Sequence, residues 1–345
     1  MWCFMTTNRP VPTCVMHYRA CLRIFPAKAT ALPRFRSTIC ELNNGNSGLC
    51  RFSLTKQSDM NGISAVVATY RRKDELRRLF DSILLQPPTL YELIIVDQNR
   101  DGLLDDLIEE YNARLPIVHL RMEEANQSKA RNLGARAARF NVLCFPDDDC
   151  WFEPGALKGA QLHFERQPET ELLIINWVQN PYPHDLSGVL NRREVFSFRS
   201  VGYVTYVQVY KRSAFEELGG FLDNVGIGQF IGGGEDSELT FRAMQRGMRV
   251  YYEAGIRVNH NYIPVQTRSH EVIRARQRGM GMVYAVYDVP YFVILRGMMA
   301  PLLKMMITLD RKKSGEFYNI FRGRLEGFVH TLRQRRGRRQ VPVTQ

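Results

Sequence analysis

What most constrains this chain is an alternation of short, almost wholly apolar runs with amphipathic stretches, beginning at Ile63. Ile63-Ser64-Ala65-Val66-Val67-Ala68 lacks the alternation of a half-exposed strand and suits one buried on both faces. From Asp74 to Leu85 the apolar residues Leu76, Leu79, Phe80, Ile83 and Leu84 recur at helical spacing, and Pro87-Pro88 stops the helix. The same couple repeats twice and a fourth strand follows: strands at Leu93–Asp97, Ile117–Leu120 and Val142–Phe145, with helices at Leu103–Tyr111 and Ser128–Ala138 between them. Repeated β–α units predict an α/β fold, a mostly parallel Rossmann-like sheet flanked by helices. Such sheets bind ligands at the carboxyl ends of their strands, so the residues leaving each strand are the ones to read for chemistry.

Beyond Trp151 the order loosens. Strands are predicted at Leu172–Ile175, Tyr203–Tyr210 and Val250–Tyr252, and a short helix at Asp236–Gln245 after a glycine-rich stretch from Gly219 to Gly234. After Arg268 the pattern is helical. The apolar run Val289–Leu309 reaches membrane-spanning length, about 20 residues, but carries Arg296, Pro301 and Lys304, which favours a helix lying in the interface.

Charge follows this organisation. Residues 1–59 carry 8 basic and 2 acidic side chains, residues 268–345 carry 16 and 5, and the middle carries 23 and 28. An acidic centre between basic ends argues against nucleic-acid binding through the core, and a basic helical tail suits anionic headgroups. The first 59 residues have no sustained period and no signal-peptide-like apolar stretch, so they read as disordered or as an extension upstream of a start at Met60. The predicted division is therefore 1–59, a domain at 60–267 and a basic amphipathic helical region at 268–345. Five of the seven cysteines lie in the first 50 residues at spacings that match neither a zinc pair nor a disulfide framework. Cys144 and Cys150 read as reduced thiols of a cytosolic protein.

Asp147-Asp148-Asp149 directly follows a buried strand. Three adjacent carboxylates repel one another, and a hard divalent cation, Mg2+ or Mn2+, would relieve that cost. The plain alternative is a solvated acidic loop capping the next helix. Asp97 leaves the second strand in the same way, as a ligand for a base or ribose or as a loop cap. Lys129, Arg131 and Asn132 lie at the start of a helix, where cations and backbone amides favour phosphate, or form a solvated face. Glu235-Asp236 follows Gly232-Gly233-Gly234. Glycines there let a loop approach substrate, and a carboxylate there either deprotonates an acceptor hydroxyl or caps the helix. His260, between Asn259 and Asn261, is structural or a further ligand.

Taken in order, ISAVVATYR (63–71), LIIVD (93–97), KARNLG (129–134), FPDDD (145–149) and GGEDSE (233–238) resemble the family-2 glycosyltransferases of the GT-A fold over about residues 60–265. The resemblance implies an inverting transferase that uses a UDP- or dTDP-sugar, of hexosyl or rhamnosyl type, and a glycan or polyprenyl-linked acceptor. Thr69, Tyr70 and Arg71 would line the nucleotide pocket, Asp97 would meet the base, and Arg131 and Asn132 would lie near the donor. Asp147 and Asp149 would form the DxD metal motif, with Asp148 nearer the ribose and His260 as a further ligand. Asp236 would be the catalytic base and Glu235 its acceptor-side neighbour. The tail segment YNIFRGRLEGF (318–328) resembles bacterial members that extend lipid-linked glycans, which implies a cytoplasmic enzyme held peripherally on the inner face of the membrane. No QxxRW-type motif is present, so single addition is expected rather than processive polymerisation.

A sugar nucleotidyltransferase needs a glycine-rich phosphate cradle after its first strand, where this chain has Thr69-Tyr70-Arg71-Arg72-Lys73-Asp74. A basic nucleic-acid binder needs a basic, aromatic-interleaved core domain, and the core is acidic. A non-catalytic nucleotide-sugar-binding protein of the same fold stays open, since a fold alone does not prove activity.

Overall fold

The computed structural model describes residues 60–87, 89, 91–181, 184–197, 204–261 and 268–339, so the expectation for residues 1–59 lies outside the described residues. The first half follows the predicted couples: β1 (Met60–Thr69), α1 (Asp74–Leu84), β2 (Tyr91–Asp97), α2 (Asp105–Asn112), β3 (Ile117–Arg121), α3 (Gln127–Ala137) and β4 (Phe140–Cys144). These four strands lie side by side in the order β3-β2-β1-β4, all parallel. Ile63, Val66 and Val67 of β1 are fully buried, as a strand covered on both faces requires. Helix α3 packs so closely that a side chain on Gly134 would overlap Val66.

The order of the strands locates the site. The chain steps outward from β1 through β2 to β3, then returns through α3 to β4 on the other side of β1. A crevice opens where the direction reverses, at the carboxyl ends of β1 and β4. Thr69 and Phe145 mark those ends.

The second half departs from simple β–α repetition. After β5 (Cys150–Phe152) and α4 (Ala156–Arg166) come β6 (Leu172–Trp177), β7 (Gly188–Val189), α5 (Arg192–Ser197), β8 (Gln208–Lys211), α6 (Arg212–Leu218), α7 (Glu235–Gln245) and β9 (Val250–His260). The sheet continues from β4 through β8, β6 and β9 to β5, with β8, β5 and β7 antiparallel to their neighbours. Two expectations change here. The strand predicted over Tyr203–Tyr210 opens as a 3-10 turn at Thr205–Val207 and becomes β8 only at Gln208, while Tyr203 itself lies outside the described residues. The strand predicted at Val250–Tyr252 extends to His260, because its register against β6 shifts between Ile175 and Asn176 and so interrupts the apolar alternation.

Three helices complete the fold: α8 (His270–Val286), α9 (Tyr291–Ile307) and α10 (Arg311–Arg339). They belong to the same compact unit as the sheet. No described helix is long and apolar enough to cross a membrane. Helices α8 and α10 run side by side in the same direction. A side chain on Gly323 would overlap the Arg274 carbonyl, and one on Gly327 would overlap the Arg278 carbonyl, so glycine permits the close approach. Glu326 accepts from Arg274 Nε at 2.8 Å, Arg278 Nε at 3.0 Å and Arg322 Nε at 3.1 Å.

The Arg274 bond, followed by those from Arg278 and Arg322, holds the Glu326 carboxyl at about 2 rather than the ordinary 4.5. A depressed carboxyl stabilises the fold above its unfolded value, and that stabilisation is lost as pH falls from 4.5 toward 2. Glu326→Gln should therefore melt lower than the native chain at neutral pH, with the gap closing under acid. Parallel thermal unfolding curves across that window check this, and a pH-independent gap would refute it.

Candidate active site

The sheet delivers its acidic triplet directly. β4 ends at Cys144, and Phe145 anchors the exit with its ring centroid 4.9 Å from Phe215 and 5.1 Å from Phe221. Asp147, Asp148 and Asp149 then turn into β5. β5 pairs antiparallel with β9 so that Cys150 faces His260, which sets the imidazole beside Asp149 although 111 residues separate them. His260 Nε2 lies 3.0 Å from Asp149 Oδ1. Asp147, Asp149 and His260 each offer a ligand atom within 4.8 Å of the others. Two carboxylates and one imidazole are a donor set that suits Mn2+ or Mg2+. The residues present fit a divalent cation.

Neighbours fix these groups. Tyr206 stacks on the His260 ring with centroids 4.5 Å apart and planes 1° from parallel, and Trp177 Nε1 donates to the His260 carbonyl at 2.8 Å. Burial opposes ionisation of Asp149, but His260 and Arg72 outweigh it and hold the carboxyl at about 2. Burial likewise opposes charging of His260, and the bond to Asp149 outweighs it and raises the imidazole. Asp148 is the counter-case. Burial pushes its carboxyl up to about 7, the like charges of Asp147 and Asp149 add to the shift, and Arg72 works against it.

Across the crevice, Arg131 joins the two acidic motifs. This arginine is only 2% exposed. Its NH2 donates to Asp147 at 2.6 Å, its NH1 lies 3.4 Å from Glu235, and its guanidinium sits over the Phe221 ring. Asp236, the next residue, is half-buried at the first turn of α7, and its Oδ1 accepts from Ser237 N. Burial raises its carboxyl, with the Glu235 charge second. A carboxylate whose affinity for a proton is raised is suited to act as a base near neutral pH.

The remaining sequence-predicted residues lie in two places. Thr69 is buried in register with Asp97. Asp97 is itself fully buried: Oδ1 accepts from the Asn99 backbone at 2.9 Å and side chain at 2.8 Å, and Oδ2 lies 3.1 Å from His119 Nε2. Asn99 in turn accepts from Arg71 N at 2.9 Å, where the chain turns through a positive φ of 59°. Tyr70 is exposed, and Arg71 points to Asp101. Lys129 pairs with Glu124 on the surface. Asn132 spends its amide on the Phe221 carbonyl and Asp223, clamping the loop that leads to Gly232. Asn126 and Ser128 clamp the same loop at the Asp223 and Val225 carbonyls.

Sequence reasoning missed Arg72, which pairs with Asp148 and Asp149, and Tyr206, which supports His260. Arg72 carried a local signal, a cation just past a strand end. Tyr206 carried none, because only the sheet register brings it near. The glycine triplet also needs a second explanation. Side chains at Gly232, Gly233 and Gly234 would crowd Ala275, Arg276 and Gly279 of α8, and one on Gly279 would overlap the Gly233 carbonyl. The triplet is flat against a helix, which accounts for its glycines without a substrate.

A mixed sheet whose parallel half reverses direction at β1, an acidic triplet at a strand exit and a second acidic pair opposite define the GT-A class of nucleotide-diphospho-sugar transferase folds. Residues 64–219 match glycosyl transferase family 2, and the chain carries a domain of that family. It is 32% identical over 121 residues to an uncharacterized glycosyltransferase of Haemophilus influenzae, a match covering 34% of this chain and 38% of that one. Among solved structures, Staphylococcus aureus TarS 1–349 in complex with UDP-GlcNAc superposes with a TM-score of 0.53 at 15% identity, covering 77% of this chain and 81% of that one. A mannosyltransferase from Pyrobaculum calidifontis in complex with GDP-Man and Mn2+ superposes at 0.51 and 14% identity, covering 78% and 86%.

Removing the Arg131 guanidinium would leave buried Glu235 and half-buried Asp147 without their counter-charge. Arg131→Met should cost about 3–5 kcal/mol, whereas Lys129→Ala, on the surface, should stay within about 0.5 kcal/mol. Chemical denaturation of both variants measures the contrast, and equal midpoints would show that Arg131 does not organise the site.

Proposed function

We propose that this chain is an inverting glycosyltransferase that moves a hexosyl or rhamnosyl group from a UDP- or dTDP-sugar to a hydroxyl of a glycan or polyprenyl-linked acceptor. The observation that carries this reading is the convergence of Asp147, Asp149 and His260 on one side of the crevice, joined through Arg131 to Glu235 and Asp236 on the other.

The chain's residues divide the work. Asp147, Asp149 and His260 would hold Mn2+ or Mg2+, and a cation so held supplies positive charge against the departing diphosphate. Thr69 and Asp97, adjacent in register at the carboxyl ends of β1 and β2, would bound the place for the nucleoside, with buried Asn99 held by Asp97 beside them. Asp148, beside Thr69 and next to the metal ligands, would lie nearer the ribose. Asp236 accepts the proton of the acceptor hydroxyl as that oxygen attacks the anomeric carbon from the face opposite the diphosphate. The bond to the new oxygen forms as the bond to the diphosphate oxygen breaks. A single displacement inverts the anomeric centre and needs no enzyme nucleophile. Glu235, held by Arg131, lines the acceptor side. The basic helices at the carboxyl end fit a peripheral position on the inner face of the cytoplasmic membrane, where a lipid-linked acceptor is found.

Donor binding tests the proposal. Purified protein would be titrated with UDP-, dTDP- and GDP-sugars with and without Mn2+. The expected result is metal-dependent binding of one donor, lost in Asp149→Ala. Asp236→Asn should still bind that donor while its transfer rate falls by roughly 10²–10⁴-fold. Folded protein that binds no donor, or undiminished transfer by Asp236→Asn, would overturn it.

A further inference from the structure

Helix α9 covers the protein with only one of its faces. Val293 and Pro301 are buried, and Ile294 and Met298 pack against the core. The opposite face carries Phe292, Leu295, Met299, Leu303, Met306 and Ile307, all exposed, with Phe292 at 64%, Met306 at 77% and Ile307 at 80%. At helical spacing these six fall on one side, and Leu309, fully exposed, extends the patch past the helix end. Exposed apolar side chains scattered singly are ordinary, whereas a contiguous stripe of this length marks an interaction surface.

The charges around the stripe indicate what covers it. No acidic residue occurs between Asp288 and Asp310. Lys304 flanks the stripe, Arg296 falls within its arc between Leu303 and Ile307, and Arg311, Lys312 and Lys313 follow the helix end, all three exposed. A second copy seated on this face would bring two cationic rims together. An anionic phospholipid surface meets both features, since its acyl boundary takes the apolar stripe and its phosphates take the rim. At 17 residues with an internal proline, α9 suits lying in the interface, and it does not qualify as a span.

We infer that the outward face of α9 is a docking surface for an anionic phospholipid bilayer, with the helix lying along the headgroup–acyl boundary. This rests on the proposed transfer to a membrane-borne acceptor, and it assigns the contact to one helix rather than to the basic tail in general. The geometry adds a consequence. Helix α9 packs against Tyr284 of α8 and Arg324 of α10, and α8 is seated on Gly232–Gly234 just before Glu235 and Asp236. The docking face and the acidic pair are therefore held in a fixed relation, and the bilayer would orient the acceptor side of the crevice.

The test uses the full chain. Sedimentation with vesicles of phosphatidylcholine, and of phosphatidylcholine mixed with phosphatidylglycerol, is compared for the native protein, Leu303→Glu/Ile307→Glu and Lys312→Glu/Lys313→Glu. All four positions are exposed, and circular dichroism verifies folding. The native protein should bind the anionic vesicles, and the apolar-face variant should lose that binding by at least about tenfold. The charge variant should lose about 25-fold or more, at roughly fivefold for each cation near the surface. No vesicle binding by the native chain, or native-like binding by Leu303→Glu/Ile307→Glu, would overturn the assignment. So would self-association of the native chain, read by sedimentation velocity, that the same variant abolishes. Donor binding in solution is measured on the same preparations. Lost vesicle binding with donor binding intact refutes the docking surface alone, whereas absent donor binding with vesicle binding intact refutes the transferase reading and leaves the surface standing.

Discussion

Arg131 is the interaction on which the site depends. A guanidinium at 2% exposure is stable only when its donors are satisfied and its charge is balanced, and Asp147 and Glu235 do both. Each partner belongs to a different element, the exit of β4 and the start of α7, while Arg131 comes from α3. One side chain thus joins three pieces of backbone that the sequence keeps far apart. The clamps from Asn126, Ser128 and Asn132 on the following loop act in the same direction, so α3 positions both acidic motifs from behind. The helix start that reads as a phosphate grip in the sequence has Arg131 and Asn132 turned inward and Lys129 paired on the surface.

The acidic triplet shows how like charges can be kept together. Asp147 has Arg131, Asp149 has His260 and Arg72, and Asp148 is drawn toward its neutral form by burial. Asp148 and Asp149 are thereby separated in proton affinity, although they are adjacent. Such a spread lets neighbouring acids take different roles, as ligand, as hydrogen-bonding neutral group or as base.

The first half of the fold was legible because buried parallel strands leave near-continuous apolar runs, as in Ile63–Ala68, and helices such as α1 show their stripe. The second half was not. β5 and β7 are only three and two residues long, and β9 is interrupted by a register shift that hides its periodicity. At the site, Asp147–Asp149 and Glu235–Asp236 were readable as local motifs, and His260 as a lone histidine whose ligand role only a family resemblance favoured. Tyr206 and the bridging role of Arg131 depend on contacts between distant segments, which no local pattern records. The glycines before Glu235 were readable as a need for close approach, but their partner is a helix more than forty residues downstream.

That glycine seat bears on modularity. Because the backbone of α8 lies directly on Gly233 and Gly234, the helical region and the acidic loop share one surface with no side chains between them to adjust. Interfaces cushioned by flexible side chains can drift as the parts on either side diverge, and backbone laid on backbone cannot. A transplanted sheet domain would have to bring its own α8, and a transplanted helical region would have to bring its own glycines. The two would be inherited as one piece or not at all.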